Sequence, residues 1–364
     1  MKRKKIALFD PYLDVLGGGE KHILSIIKAI SKNADIEIFW DTNIYNDIKS
    51  RLNIEFENPP IFNKNIFSSK KNLIQKLQTL KKYDLFFYVT NGSYFFSSAN
   101  KNFVFCMVPD QKLFKKTLLN KLKVSNFRYI SNSNFTRKWL SKWNIQSDVI
   151  YPYIDQEFIS FDITSCKKER IILSVGRFFK HLHSKRQDLL IKAFQDLKKQ
   201  NGLFSDYKLI LAGGVKKEDQ EYFSSLKNKI KNDKSIEFKA NISFKGLVSL
   251  YKKSSIFWHI AGFGIDESKN PELTEHFGMA PLEAMAMGCI TFGYNAGGLK
   301  ETIKNNKNGF LFSSIEELKN KTTNLLENTN KLNLIRKNAK MFIVNNFQIS
   351  SFNRKALKVI YKNQ

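Results

Sequence analysis

Short apolar runs alternate with helix-length segments along the whole chain, and this alternation is the feature that most constrains the fold. In the first half, KIALFD (residues 5–10) leads through a glycine turn into the periodic segment EKHILSIIKAISK (residues 20–32). Further strand-like runs follow: DIEIFW, YDLFFYVTNG, FVFCMVP and FRYISNS. The pattern is typical of a parallel sheet whose strands are joined by crossover helices.

A second series of the same kind begins after a segment of weak periodicity. Its strand-like runs are RIILSVGRF, YKLILAGG, IEFKANIS, SSIFWHI, CITFGYN and GFLFS. We therefore predict an α/β protein with two Rossmann-like domains, residues 1–154 and 169–344, joined by a linker at 155–168. A terminal helix is predicted over 345–364. The default ligand site is a cleft between the two domains, at the carboxyl ends of the strands.

Composition narrows the cellular setting. No apolar run approaches the ~18 residues that a membrane-spanning helix needs. The basic start is followed by only four apolar residues, Ile6 to Phe9, before Asp10, which is far short of a signal-peptide core. The three cysteines, Cys106, Cys166 and Cys289, show no metal-ligand spacing, and their odd number argues against a disulfide framework. A cytoplasmic protein is the expectation.

The net charge is unusual: 60 basic against 33 acidic residues give +27. Such a field attracts nucleic acid, anionic lipid head groups or phosphorylated substrates. The excess could instead be compositional, since the chain is rich in Lys and Asn. The basic residues are scattered and no nucleic-acid-reading motif accompanies them, so specific nucleic-acid binding is only a second alternative.

Two loops that follow predicted strands carry candidate anion-binding groups. Gly17, Gly18 and Gly19 precede the first helix, where they could bring backbone N–H groups close to a phosphate or sugar, or could form a simple tight turn. The equivalent loop of the second half begins at Gly176 and carries four cations, which could grip a diphosphate or could be solvated. These are Arg177, Lys180, Lys185 and Arg186.

The segment PELTEHFGMAPLEAMAMG (residues 271–288) places two glutamates eight residues apart. Pro281 suits the first position of a helix, and Gly288 suits the position after its end, so we predict a helix from Gly278 to Met287. Its amino terminus, at Gly278, Met279 and Ala280, would bind an anion, with Glu283 on the first turn and Glu275 in the preceding loop. An ordinary buried helix with a capping carboxylate is the alternative.

Taken together, these groups suit a nucleotide sugar. Arg177, Lys185 and the helix terminus can converge on one diphosphate, Glu283 can accept hydrogen bonds from a ribose diol, and Glu275 can accept them from the sugar. A glycosidase pair, by contrast, must flank a single bond at close range. His259 and His276 could act as acid–base groups or could be structural.

On these motifs the chain resembles the retaining glycosyltransferases of family 4. The resemblance covers nearly the whole chain and rests on Glu-x7-Glu in EHFGMAPLE and on AMAMGCITFGYNAGGLKETI after it. It also rests on the glycine loop before Glu20, VGRF with a downstream lysine, SNSNFTRKWL and YPYID. WHIAGFGIDE paired with EHFG is most similar to the branch that includes lipid-linked mannose transferases and bacterial surface-polysaccharide enzymes. Met107 stands where many relatives carry His or Gln.

The resemblance implies a GT-B fold, with an acceptor-binding domain at 1–154, a nucleotide-sugar-binding domain at 169–344 and a terminal helix, 345–364, that crosses back to the first. It implies transfer of a hexose such as mannose, with retention and without a metal or other cofactor, from a GDP- or UDP-sugar to a saccharide or polyprenyl-linked saccharide. Glu275, Arg177 and Lys185 become the catalytic candidates, and Glu283, Gly278, Met279, Ala280 and Gly176 the donor-binding ones. Another GT-B enzyme, such as a sugar-nucleotide epimerase or phosphorylase, is the enzymatic alternative, although no cofactor lysine site is identified for a phosphorylase.

A basic amphipathic stripe at 110–124 suggests a membrane partner. It combines Phe114, Leu118 and Leu122 with Lys112, Lys115, Lys116, Lys121 and Lys123. Segments of this kind can lie on anionic membranes, or can pack as ordinary helices on their own domain. With the lipid-linked acceptors of the family, the stripe predicts a cytoplasmic enzyme that visits the inner face of the membrane.

Overall fold

A computed structural model describes residues 3–67, 73–114, 117–180, 184–230 and 233–362. The chain divides into two compact units. The first comprises Met1–Pro152 with Ser350–Gln364, and the second comprises Tyr153–Ile349. The predicted linker, 155–168, therefore lies within the second unit.

The first unit is built on a seven-stranded parallel sheet in the order β3-β2-β1-β4-β5-β6-β7. The strands are β1 (Lys4–Phe9), β2 (Ala34–Phe39), β3 (Ile61–Asn63), β4 (Leu85–Val89), β5 (Lys101–Cys106), β6 (Phe127–Ser131) and β7 (Ser147–Val149). The five predicted strands are confirmed. The two edge strands, β3 and β7, were not predicted, because their sequences, IFN and SDV, contain polar residues and form no continuous apolar run.

Five helices in the described part of the chain accompany this sheet. They are α1 (Gly18–Ile30), α2 (Tyr45–Leu52), α3 (Leu73–Leu80), α4 (Leu118–Lys123) and α5 (Asn134–Lys142). In α1, Ile23 and Ile27 are fully buried at the i and i+4 spacing of a helix face that packs on a core. Aromatic rings fill much of the core, including Phe86 against Phe67 and Phe95 at centroid distances of 5.6 and 5.9 Å.

The second unit contains a six-stranded parallel sheet in the order β10-β9-β8-β11-β12-β13. Its strands are β8 (Glu169–Val175), β9 (Lys208–Gly213), β10 (Ile236–Ala240), β11 (Ser254–His259), β12 (Ile290–Tyr294) and β13 (Phe310–Phe312), and all six were predicted. The connections reverse direction between β8 and β11. In a doubly wound sheet, ligands bind where the carboxyl ends of two such strands diverge.

Eight helices are described in the second unit: α6 (Gln156–Ile159), α7 (Gln187–Gln200), α8 (Gln220–Lys229), α9 (Phe244–Lys253), α10 (Met279–Ala286), α11 (Leu299–Thr302), α12 (Ile315–Leu326) and α13 (Thr329–Asn346). Helix α6 occupies part of the predicted linker. Phe158 on α6 is fully buried and packs against Phe244 and Tyr251, each at a centroid distance of 5.7 Å. Because this packing buries an aromatic ring, the segment is a structural part of the unit.

The terminal helix starts later than predicted. Asn345 and Asn346 belong to α13, and α14 spans Ile349–Ile360. Within the first unit, the guanidinium of Arg128 donates to the carbonyl of Val359 at 3.0 Å, and the ammonium of Lys4 lies 4.0 Å from the ring centroid of Tyr361. From Ser350 onward the tail thus contributes to the first unit.

The amphipathic stripe does not form one helix. Phe114 is buried and packs against Trp143 at 5.8 Å, whereas Leu118 and Leu122 lie on the six-residue helix α4 and are 76% and 55% exposed. Lys115 and Lys116 lie outside the described residues. Among the helices that are described, none has both the length and the apolar character needed to cross a membrane.

Candidate active site

The loop after β8 brings a lysine back over the end of its own strand. A Cβ atom on Gly176 would lie 2.6 Å from Cγ of Lys185, so only glycine leaves room for this crossing. The ammonium of Lys185 then reaches Oε2 of Glu275 at 2.6 Å. Two candidates that are distant in sequence are therefore in direct contact, at the carboxyl end of β8.

A histidine completes the cluster. Nε2 of His259, the last residue of β11, donates to the same Oε2 of Glu275 at 2.8 Å. The three side chains are largely buried, with exposed fractions of 18% for Lys185, 16% for Glu275 and 3% for His259. The cluster thus lies between the ends of β8 and β11, at the switch point of the sheet.

The electrostatics of the cluster favour a charged glutamate and a neutral histidine. Burial alone would raise the pKa of Glu275, but Lys185 and His259 together hold that pKa well below its usual range. Burial lowers the pKa of His259, against the opposing effect of its hydrogen bond to Glu275. We conclude that a carboxylate accepts two hydrogen bonds here, one from an ammonium and one from a neutral imidazole.

The backbone of Glu275 is fixed by the segment after β12. The N–H of Gly298 donates to the carbonyl of Glu275 at 2.7 Å, and the N–H of Gly297 donates to Oε2 of Glu267 at 2.7 Å. Sequence reasoning missed Glu267, which also pairs with Lys300. These bonds hold the Glu275 loop against the sheet.

Helix α10 follows this loop, and its boundaries correct two details of the prediction. Its first residue is Met279, with Gly278 in the left-handed region at φ +92° as the residue before it. Pro281 is consequently the third helical residue and not the first, and Glu283 is the fifth, on the second turn rather than the first. Gly288, at φ +75°, follows the helix end as predicted.

A buried tyrosine holds Glu283. The hydroxyl of Tyr251, on α9, donates to Oε2 of Glu283 at 2.9 Å and lies 3.3 Å from the carbonyl of Ala280. Burial, with Glu283 as the next cause, raises the pKa of Tyr251 well above its usual value, so its hydroxyl is a donor throughout the physiological range. Tyr251 thereby holds the Glu283 carboxylate near the carbonyl of Ala280, which lies on the first turn of α10.

Arg177 has different partners. Its Nε and Nη2 lie 3.0 and 2.9 Å from Oδ2 of Asp219, and Nη2 lies 3.1 Å from Glu218. Both carboxylates follow β9. The structure therefore brings Lys185 to Glu275 and directs Arg177 toward the neighbouring loop, while Lys180 is exposed and Arg186 pairs with Asp188.

The remaining candidates have contacts of a structural kind. Gly17 precedes α1 and its N–H donates to Glu20 at 2.7 Å, while Gly18 and Gly19 are the first helical residues. A Cβ atom on Gly19 would collide with Sδ of Met107. Nε2 of His276 lies 3.2 Å from the carbonyl of Glu272. A ligand role for the glycine loop stays a prediction.

Comparisons with known proteins identify the family of this chain. The family described as glycosyl transferases group 1 matches residues 155–342. The chain is 24% identical to the GDP-Man:Man(3)GlcNAc(2)-PP-Dol alpha-1,2-mannosyltransferase of Xenopus laevis, over 94% of this chain and 84% of that protein. It is 31% identical to the alpha-1,3/1,6-mannosyltransferase ALG2 of Saccharomyces cerevisiae, over 57% of this chain and 49% of that protein.

Solved structures show the fold. A glycosyltransferase from Rickettsia africae is similar with a TM-score of 0.75 and 18% identity, over 100% of both chains. Anabaena HepE in complex with UDP and glucose is similar with a TM-score of 0.71 and 19% identity, over 98% of this chain and 99% of that one. The predicted GT-B fold, with two Rossmann-like domains, is confirmed.

Proposed function

Because this chain belongs to the glycosyl transferases group 1 family, we propose that it moves a hexose from a nucleotide diphosphate sugar to a saccharide carried on a polyprenyl-type lipid. The observation that carries this proposal is the Lys185–Glu275–His259 cluster at the switch point of the second sheet. The name of the frog relative specifies GDP-Man and a PP-Dol-linked saccharide, which makes GDP-mannose the first donor to test. UDP-sugars are the second group of donors to test.

Lys185 supplies charge to the departing diphosphate. Its ammonium is a mobile point charge that Glu275 holds in place before the donor binds. In the transfer, the bond from C1 of the sugar to the phosphate oxygen breaks, and a bond from C1 to the acceptor oxygen forms on the same face, so the configuration is retained. The acceptor proton passes to the departing diphosphate.

The amino terminus of α10 adds a second source of positive potential. The first N–H groups of a helix, here those of Met279 and Ala280, have no partners within the helix and suit an anion. With Lys185 they supply the stabilisation that a divalent ion gives in other enzymes, and the proposal includes no metal or other cofactor. Glu283 binds the ribose diol, and Glu275 binds a sugar hydroxyl.

Arg177 also belongs to the diphosphate site in this proposal. For this role, the guanidinium must release Glu218, whose side chain is 63% exposed, and bind a phosphate oxygen in its place. Its ion pair with Asp219 remains. A phosphate competes well for such a group, because guanidinium and phosphate form paired charge-assisted hydrogen bonds.

The first unit is the acceptor domain in this proposal, with Gly17, Gly18 and Gly19 on the acceptor side. Its helix α4 exposes Leu118, Leu119 and Leu122 beside lysines of the same helix. A cytoplasmic enzyme with this surface would attach reversibly to the inner face of a membrane, where lipid-linked saccharides are presented.

The test is product analysis with the full chain, radiolabelled GDP-mannose or UDP-glucose, and a polyprenyl diphosphate that carries a short mannoside. We expect a labelled lipid product with the donor's anomeric configuration by NMR, formed equally well with EDTA present. Lys185→Gln should abolish most of the transfer. Lys208→Gln is the matched control, because Lys208 pairs with Glu237 at 3.0 Å on the surface. An epimerised donor, or inversion at C1, would contradict the proposal.

A further inference from the structure

A pocket lies at the edge of the second unit's sheet that is opposite to the candidate active site. It has a volume of about 310 Å³ and lies where β8 and β11 begin, with α13 on one side. The candidate active site lies where these strands end, ~20 Å away along a seven-residue strand. The pocket is a separate feature of the unit.

The lining of this pocket is strongly basic. Four cations, Lys167, Lys168, Arg170 and Arg336, line it together with a single carboxylate, Glu169. The nearby carboxylates already have partners: Glu169 pairs with Lys253 at 3.6 Å, and Asp206 pairs with Arg170 at 2.8 Å. Among the described residues, no carboxylate pairs with Lys168 or Arg336.

Arg336 is the group most in need of a partner. Its Nε is buried, and none of the residues that the structure describes accepts a hydrogen bond from it. Burial lowers the pKa of this guanidinium. A buried donor on a charged group is costly when it is unsatisfied, so a bound anion would remove a real penalty.

Lys168 adds a second positive charge that a bound anion would compensate. Its ammonium donates to the carbonyls of Met287 and Tyr251, at 2.6 and 3.0 Å, and these neutral acceptors leave its charge uncompensated. Burial lowers the pKa of Lys168, and the charge of Arg336 lowers it further. The neighbouring Cys289 does not neutralise the pair, because burial raises the pKa of its thiol.

We propose that this pocket binds a phosphate group, as the free ion or as the monoester of a small molecule. Arg336 supplies the planar donor fork that phosphate prefers, and Lys168 supplies a second charge from the wall. The hydroxyl-bearing Tyr207 and Ser255 line the same space, which is at the lower end of the size range of small-molecule sites.

The test compares the thermal unfolding of the full chain in sodium phosphate and in sodium chloride at matched ionic strength. Phosphate should raise the unfolding temperature of the wild type, because a ligand that binds only the folded state stabilises it. Arg336→Gln should lose this gain and bind phosphate at least tenfold more weakly by calorimetry. In chloride the same variant should be as stable as the wild type, since it removes an uncompensated charge.

Two control variants locate the effect. Lys337→Gln changes the next residue of α13, which is exposed, and should keep the full phosphate response. Lys185→Gln removes a cation of the proposed diphosphate site, and its remaining phosphate response should disappear when Arg336→Gln is added. An equal response in Arg336→Gln and the wild type would overturn the proposal, as would an equal response in Lys185→Gln and the double variant.

The source of the phosphate group is distinguished by two further probes. Glycerol 3-phosphate represents a soluble monoester, and vesicles of phosphatidic acid in phosphatidylcholine represent a lipid head group. We expect competition between glycerol 3-phosphate and inorganic phosphate, dependent on Arg336, because a pocket of this volume encloses a small ligand. Arg336-dependent binding to the vesicles alone would refute a small-molecule site.

Discussion

The ammonium of Lys185 lies 2.6 Å from Oε2 of Glu275, although ninety positions separate the two residues along the chain. Both side chains are less than one-fifth exposed. A buried carboxylate and ammonium in this geometry depend on each other, because removing either one leaves an uncompensated charge. In the proposed function, catalysis and folding are therefore linked at this site.

The first prediction separates these two effects. Glu275→Gln and Lys185→Gln should each lower kcat about ten- to hundred-fold, since a hydrogen bond to a charged group contributes ~1.5–3 kcal/mol. The double variant should lose less than the sum of the single losses, because the two residues interact directly. Initial rates with a nucleotide sugar, measured beside urea unfolding of each variant, check this. Strictly additive losses would contradict a functional pair.

The second prediction concerns His259 as a positioning residue. It helps to hold the pKa of Glu275 below its usual range. In His259→Ala the pKa of Glu275 should rise, so the acidic limb of the kcat/KM profile should move to higher pH. His259→Gln, which keeps an N–H donor, should restore part of the shift. If the acidic limb of the profile does not move in His259→Ala, the role of His259 is in packing and not in controlling the pKa of Glu275.

The third prediction tests the hold of Tyr251 on Glu283. Tyr251→Phe removes the hydroxyl that donates to this carboxylate at 2.9 Å, so donor KM should rise about tenfold while kcat changes little. Tyr83→Phe is the matched control, because Tyr83 donates to Glu37 at 2.7 Å in the first unit. It should leave donor KM unchanged. Equal effects of the two variants on KM would argue against a donor role for Glu283.

The fourth prediction concerns α4 and the charge of the chain. Binding to phosphatidylglycerol vesicles should exceed binding to phosphatidylcholine vesicles and should fall with salt, since exposed charges are screened beyond ~8 Å at physiological ionic strength. Leu118→Gln with Leu122→Gln should weaken this binding. Leu334→Gln is the control, because Leu334 is also exposed, at 59%, but lies on α13. Negligible binding to both vesicle types would show that the net charge of +27 does not attach the protein to membranes and reflects only its amino-acid composition.

Much of the fold could be predicted from the sequence, because buried parallel strands are apolar runs separated by amphipathic helices. The enzyme class was also predictable, and the family match confirms it. The spacing of the two glutamates, however, does not reveal which side chains contact them. Lys185 contacts Glu275 only because the sheet order places β8 beside β11, and the same topology places Arg177 near Asp219. Such pairings arise from tertiary structure, so spacing alone could not assign them.

The last prediction concerns acid stability and rests on His22. This side chain is 3% exposed on α1, and none of the residues that the structure describes contacts its Nε2 through a hydrogen bond. Burial lowers the pKa of His22 from 6.5 to about 3, against a hydrogen bond with the backbone of Ile150. Between these two pH values, the unfolded chain binds a proton at this site that the folded chain does not bind. Stability should therefore fall as the pH falls from 6.5 toward 3.

Between pH 6.5 and 3, His22 should lower the free energy of unfolding by ~1.4 kcal/mol for each pH unit. His22→Gln removes the titrating ring, so its free energy of unfolding should fall less steeply with acid than that of the wild type. Urea unfolding at pH 6.5 and 4.5 measures the difference. Tryptophan fluorescence is a suitable signal because Trp40, Trp139 and Trp143 all lie in the first unit with His22. Parallel pH dependences in the two proteins would show that His22 accepts a proton in the folded state as readily as in the unfolded chain.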